Sequence, residues 1–198
     1  MNLKSIIIDL DLDNETKNLL NQNLGCARFI YNTCLSYNIQ HYESQKNNGI
    51  AKEDFKYLSI SDLSRELSEI CNHNYGGSDD GENYEFLKNC NMFVLQQEIL
   101  SQETEWMDFV KNGSEFPKFK TKRKNNTCEF IKQALPEKIF NNDKLNLTPT
   151  LINIPFCCSD KDREYLISNE KIIHSITITR TNAGNYTASI YIEHAHNI

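Results

Sequence analysis

With 198 residues, 39% hydrophobic and 24% charged, the chain has the composition of an ordinary globular protein and enough length for one sizeable core, or a core and a smaller lobe. No apolar run is long enough to cross a bilayer, and the start, Met1 to Asp9, meets acid too soon for a secretory signal, so a cytoplasmic protein without a membrane partner is expected. The net charge of −6 is unevenly spread: Lys111 to Lys124 holds six basic residues against Glu115, a local +5 that leaves −11 on the remainder. Such an acidic body argues against a broad nucleic-acid-binding face and concentrates any phosphate chemistry in one segment.

In chain order, Leu3 to Leu12 alternates after Ile6-Ile7-Ile8 and predicts a strand with one buried face. Asp9, Asp11 and Asp13 share a strand face by the same alternation; without the glycine and distal glutamate of a calcium loop they read as solvated. Asp13 or Asn14 caps a long helix, expected from about Glu15 to Glu43, whose stripe is Leu20, Leu24, Ala27, Tyr31, Cys34 and Leu35. Small residues at Gly25, Cys26 and Ala27 would admit a close neighbour, with Gly25 also a candidate bend. Arg28 and Asn32 share a face at i and i+4 and are expected either to bond to each other or to hold the helix against its surroundings. A second helix follows from Ile60, Leu63, Leu67 and Ile70, opened by Ser59 and Asp62. Asn72 to Asn83 is a glycine-bearing exposed loop. A third helix runs from about Asn89 to Asn112 and stops at Gly113.

Past Gly113 the texture changes to strands and turns. Phe116-Pro117-Lys118-Phe119-Lys120-Thr121-Lys122-Arg123-Lys124 is an extended cationic loop, because a proline there denies a helix interior. Its lysines and arginine suit phosphates, while Phe116 and Phe119 suit either base stacking or anchorage in the core. Short strands are expected at Cys128 to Ile131, Leu145 to Leu147, Leu151 to Phe156 and Tyr165 to Ile167. A hairpin joins Ile172 to Arg180 with Asn185 to Glu193 through Thr181-Asn182-Ala183-Gly184. The fold class expected is α+β: a β-barrel from residues 1–12 and 114–198, with a helical lobe, 13–113, inserted.

Catalytic and metal signatures are missing. Gly76-Gly77 lacks the lysine and hydroxyl of a phosphate loop, the five histidines make no metalloprotease pattern, and no serine sits in a nucleophile elbow. The seven cysteines include no Cys-x-x-Cys pair, and adjacent Cys157 and Cys158 are poor chelators beside His194 and His196. Free thiols, no disulfide and no cofactor are expected.

Four stretches then occur in a telling order: Leu24-Gly25-Cys26-Ala27-Arg28-Phe29-Ile30-Tyr31-Asn32, Val94-Leu95-Gln96, Phe116-Pro117-Lys118-Phe119-Lys120, and Ile176-Thr177-Ile178 leading through Gly184-Asn185-Tyr186 to Ala188-Ser189-Ile190. Together they resemble the amino-terminal half of the OrfB/TnpB proteins of insertion-sequence transposons. That resemblance implies an RNA-guided DNA endonuclease related to type V CRISPR effectors, whose amino-terminal wedge barrel carries a helical recognition lobe and whose cutting belongs to a later RuvC-like domain. By motif match, Gln96 is a candidate DNA contact and Lys118, Lys120, Lys122, Arg123 and Lys124 are candidate phosphate contacts. Met92 stands where a basic residue would be expected, and the aspartates at 9, 11 and 13 depart from a usually more basic start. The expectation is a non-catalytic module that binds guide RNA and transposon-end or target DNA, as a relic, a fragment or a chain completed by a separate nuclease half. The alternative is an acidic protein-interaction or regulatory derivative of the fold.

Overall fold

The computed structural model describes residues 2–51, 54–56, 58–65, 86–87, 90–123 and 126–194. The elements that lie wholly within the described residues are β1 (Asn2–Leu10), α1 (Asn14–Asn47), α2 (Met92–Asn112), β2 (Thr127–Ile131), β3 (Phe140–Asn141), β4 (Lys144–Leu145), β5 (Ile154–Cys157), α3 (Asp160–Ser168), β6 (Ile173–Arg180) and β7 (Tyr186–His194), with short 3-10 turns between some of them. The class is α+β, with the antiparallel strands curled into a half-barrel. The chain divides into two compact units, one of residues 1–24, 91–94 and 125–198, the other of 25–90 and 95–124.

In the first unit the strand order is β2-β6-β7-β1-β5-β4-β3. β1 occupies the middle because it pairs with β7 along its whole length, from Asn2 opposite His194 to Leu10 opposite Tyr186, and at its far end with β5. Alternation dictates the faces: Ile6 and Ile8 are buried while Ile7 points out. Ile176, Ile178, Ala188, Ile190 and Ile192 continue the buried face on β6 and β7. Gly184, at φ +87°, lets Thr181 to Asn185 close the hairpin, with the Gly184 N–H donating to the Thr181 carbonyl at 3.0 Å. The first turns of α1 are capped by Asp13, whose Oδ1 accepts the Thr16 N–H at 2.7 Å. The same hydrogen bond holds the Asp13 carboxyl below its ordinary range.

One expected strand is a helix instead. Tyr165 to Ile167 lies within α3, because Ser159 accepts the Asp162 N–H and donates its hydroxyl to the Asp162 carboxylate, a capping arrangement that commits the following residues to helical φ and ψ. Three apolar residues are too few to reveal period, and the cap outweighs their strand propensity. β3 is the strand that sequence pattern leaves out; at two residues it is a tight pairing with β4 around Asn142, which adopts φ +56°.

The second unit is built on α1 and α2. Cys26, Ile30, Cys34, Leu63, Leu87 and Ile99 make one apolar cluster; Tyr31, Leu35 and Trp106 make another. α1 also uses amide side chains to receive non-helical backbone. Gln45 accepts the Lys56 N–H at 2.8 Å and donates to its carbonyl at 2.7 Å, while Asn38 accepts the Leu58 N–H and donates to Gln102. Residues 60–65 are helical, with Leu63 in the core. Leu67, Ile70 and the Asn72 to Asn83 loop lie outside the described residues. α2 ends as expected, Gly113 taking φ +70°.

Two local expectations change. A Cβ on Gly25 would meet nothing within 4 Å among the described residues, so none of these makes a close approach there, and α1 runs through it. Cys26 and Cys90, 64 positions apart, form a disulfide where free thiols were expected. The sequence holds no sign of this pairing, since only tertiary packing brings Cys26 of α1 beside Cys90.

Candidate nucleic-acid interface

The central stretch of α1 and the cationic loop meet through one side chain. Asn32 accepts the Lys120 N–H at 2.8 Å and donates to the Lys120 carbonyl at 3.0 Å, so one amide closes both backbone groups of one residue. Arg28 is not its partner, as the shared helical face had allowed; the guanidinium has no hydrogen bond or ion pair with the described residues. It is half-buried and one turn before the clamp.

The clamp gives neighbouring side chains opposite fates. Lys120 turns inward: its ammonium is 2.6 Å from Glu98 and 4.0 Å above the Tyr31 ring, and the Tyr31 hydroxyl bonds Glu105. Burial and these carboxylates push the Tyr31 hydroxyl above its ordinary range, which keeps it a neutral donor. Phe116 packs edge-on against Trp106, Phe109 and Tyr42, with ring centroids 5.4, 5.0 and 6.1 Å away, and Pro117 is buried. Lys118 points out, its side chain 78% exposed and 2.6 Å from the equally exposed Glu115. Lys122 and Arg123 are exposed on the turn that follows. Lys124 lies outside the described residues.

The five cations of the segment are therefore not equivalent. Lys120 is the internal anchor, whereas Lys118, Lys122 and Arg123 face solvent. Gln96 is exposed on α2, two residues before the buried Glu98, and a helix turns about 200° over that step. It shares its face with exposed Met92 and Leu100, away from the face that receives Lys120. The clamp itself is the feature sequence reasoning missed, although Asn32 and Lys120 were each singled out; an amide gripping backbone 88 residues away leaves no spacing signal.

The extended cationic segment is thus pinned to α1 at Lys120, with Lys118, Lys122 and Arg123 exposed around the pin. Residues 1–47 match a family described as a helix-turn-helix domain of OrfB/IS605 proteins, which supports an amino-terminal region of that transposase family. No curated protein matches the chain. The matched stretch comprises β1 and α1, a strand and one continuous helix, so a pair of helices joined by a short turn is not found among its described residues. Among the described residues no helix is long and apolar enough to cross a membrane.

Proposed function

We propose that the chain is a nucleic-acid-binding module of the OrfB/TnpB kind, taking guide RNA and transposon-end or target DNA as partners and contributing binding rather than strand cleavage. The observation that carries this reading is that Asn32, inside the family-matched stretch, fixes the one strongly cationic segment of an otherwise acidic chain. Lys118, Lys122 and Arg123, joined by Lys124 in sequence, then neutralise phosphates, and Lys120 serves by holding the segment through Glu98.

Four contacts on a single strand give a salt slope of log affinity of about −2.8, at roughly −0.7 per contact. Replacing Lys118, Lys122, Arg123 and Lys124 by Gln should flatten the slope and weaken binding. Asn32→Ala changes no charge and should weaken binding with a smaller change in slope, since it frees the segment without removing cations. Unchanged affinity in both variants would refute the reading. In that case Met92 and Leu100, exposed on either side of Gln96, favour the alternative of a protein-interaction derivative.

A further inference from the structure

We infer that Phe119 is a stacking platform for an unpaired nucleobase, so that the cationic segment takes a single strand and not a closed duplex. This rests on the nucleic-acid-binding reading and names the form of ligand at that same surface. Sequence alone left Phe116 and Phe119 with the same two options, core anchor or base platform; the structure divides the roles between them. Phe116, although 39% exposed, packs on three aromatic rings. Phe119 is 52% exposed and has no aromatic partner among the described residues.

Three features make the exposed ring more than a stray surface apolar group. It adjoins Lys120, whose backbone N–H and carbonyl are both held by Asn32 and whose ammonium is held by Glu98, so its backbone is anchored on the carboxyl side. Phe116 and buried Pro117 anchor it on the amino side. Exposed cations flank it in sequence, Lys118 before it and Lys122 and Arg123 after it. A base has a π-face whatever its identity, and an exposed ring on an anchored backbone between cations offers stacking without sequence preference. In a duplex that face is already covered by neighbouring base pairs, so the ring has nothing to receive.

The test is fluorescence anisotropy with labelled strands of equal length: single-stranded RNA, single-stranded DNA, their duplexes, and an abasic DNA strand that keeps the phosphates and lacks bases. The wild-type chain should bind a base-bearing single strand about tenfold or more tighter than the abasic strand. Phe119→Ala and Phe119→Leu should lose that ratio while keeping abasic affinity and its salt slope, and Phe119→Trp should restore it. The duplexes should gain nothing from Phe119, and a duplex whose affinity falls in Phe119→Ala as much as that of the base-bearing single strand overturns the inference. Equal wild-type binding to base-bearing and abasic strands, or retention of the ratio in Phe119→Leu, overturns the inference and leaves the phosphate-binding reading intact. Absence of binding to every strand overturns that reading and this inference with it.

Discussion

Lys118 and Lys120 stand two residues apart and each holds a carboxylate at 2.6 Å, yet burial predicts opposite consequences for their removal. Side-chain exposure is 78% and 84% for Lys118 and Glu115, against 16% and 8% for Lys120 and Glu98. Water screens the first pair, and Lys118→Met should leave the unfolding midpoint unchanged. Lys120→Met retains the apolar stem but leaves Glu98 buried without its cation, at a cost of about 3–5 kcal/mol. Loss of the ammonium above Tyr31 accounts for about 0.5–1 kcal/mol within that range. Urea unfolding followed by Trp106 fluorescence is a suitable assay, since Trp106 is the single tryptophan, is buried, and belongs to the same compact unit as the Lys120–Glu98 pair. A double variant, Lys120→Met with Glu98→Leu, should recover most of the loss because no charge is then left buried. Small and equal effects for Lys118→Met and Lys120→Met would refute the division between an exposed cation and an internal anchor.

Gly25→Ala should stabilise the protein by about 0.5–1 kcal/mol, because the site is helical and a Cβ there meets open space; destabilisation in the same urea assay would contradict the geometry. The Asp13 carboxyl, lowered by its hydrogen bond to the Thr16 N–H, contributes its capping stability in full above its unfolded value near pH 4 and loses it as pH falls through the lower folded value. Asp13→Asn, which caps without ionising, should reduce the acid sensitivity of helicity measured by circular dichroism between about pH 5 and 2, and an unchanged profile would remove Asp13 from the account. Alkylation of the native protein followed by peptide mapping should modify exposed Cys157 before Cys34, whose thiol burial pushes up to about 12, and a non-reduced map should contain Cys26 joined to Cys90. Recovery of Cys26 and Cys90 as separate alkylated peptides without reductant would contradict the bridge.

The sequence by itself determined the elements with strong period and clear ends. Three- and four-residue spacing from Leu20 to Leu35 gives α1, alternation around Ile6 to Ile8 and through Ile176 and Ile190 gives the long strands, and glycines at 113 and 184 mark a stop and a turn. It also brought out the cationic segment, since charge is visible without coordinates. Where apolar runs are short, as at Tyr165 to Ile167, a cap outside the run settles the conformation. What only tertiary structure decided are relations between positions far apart in the chain: Asn32 gripping Lys120 across 88 residues, Cys26 reaching Cys90 across 64, and Glu98 drawing Lys120 inward. The physical reason is that a side chain's role follows from what surrounds it. Identical lysines in Phe116-Pro117-Lys118-Phe119-Lys120 become internal anchor or exposed cation, and its two phenylalanines gain or lack ring partners, according to what α1 and α2 place beside them.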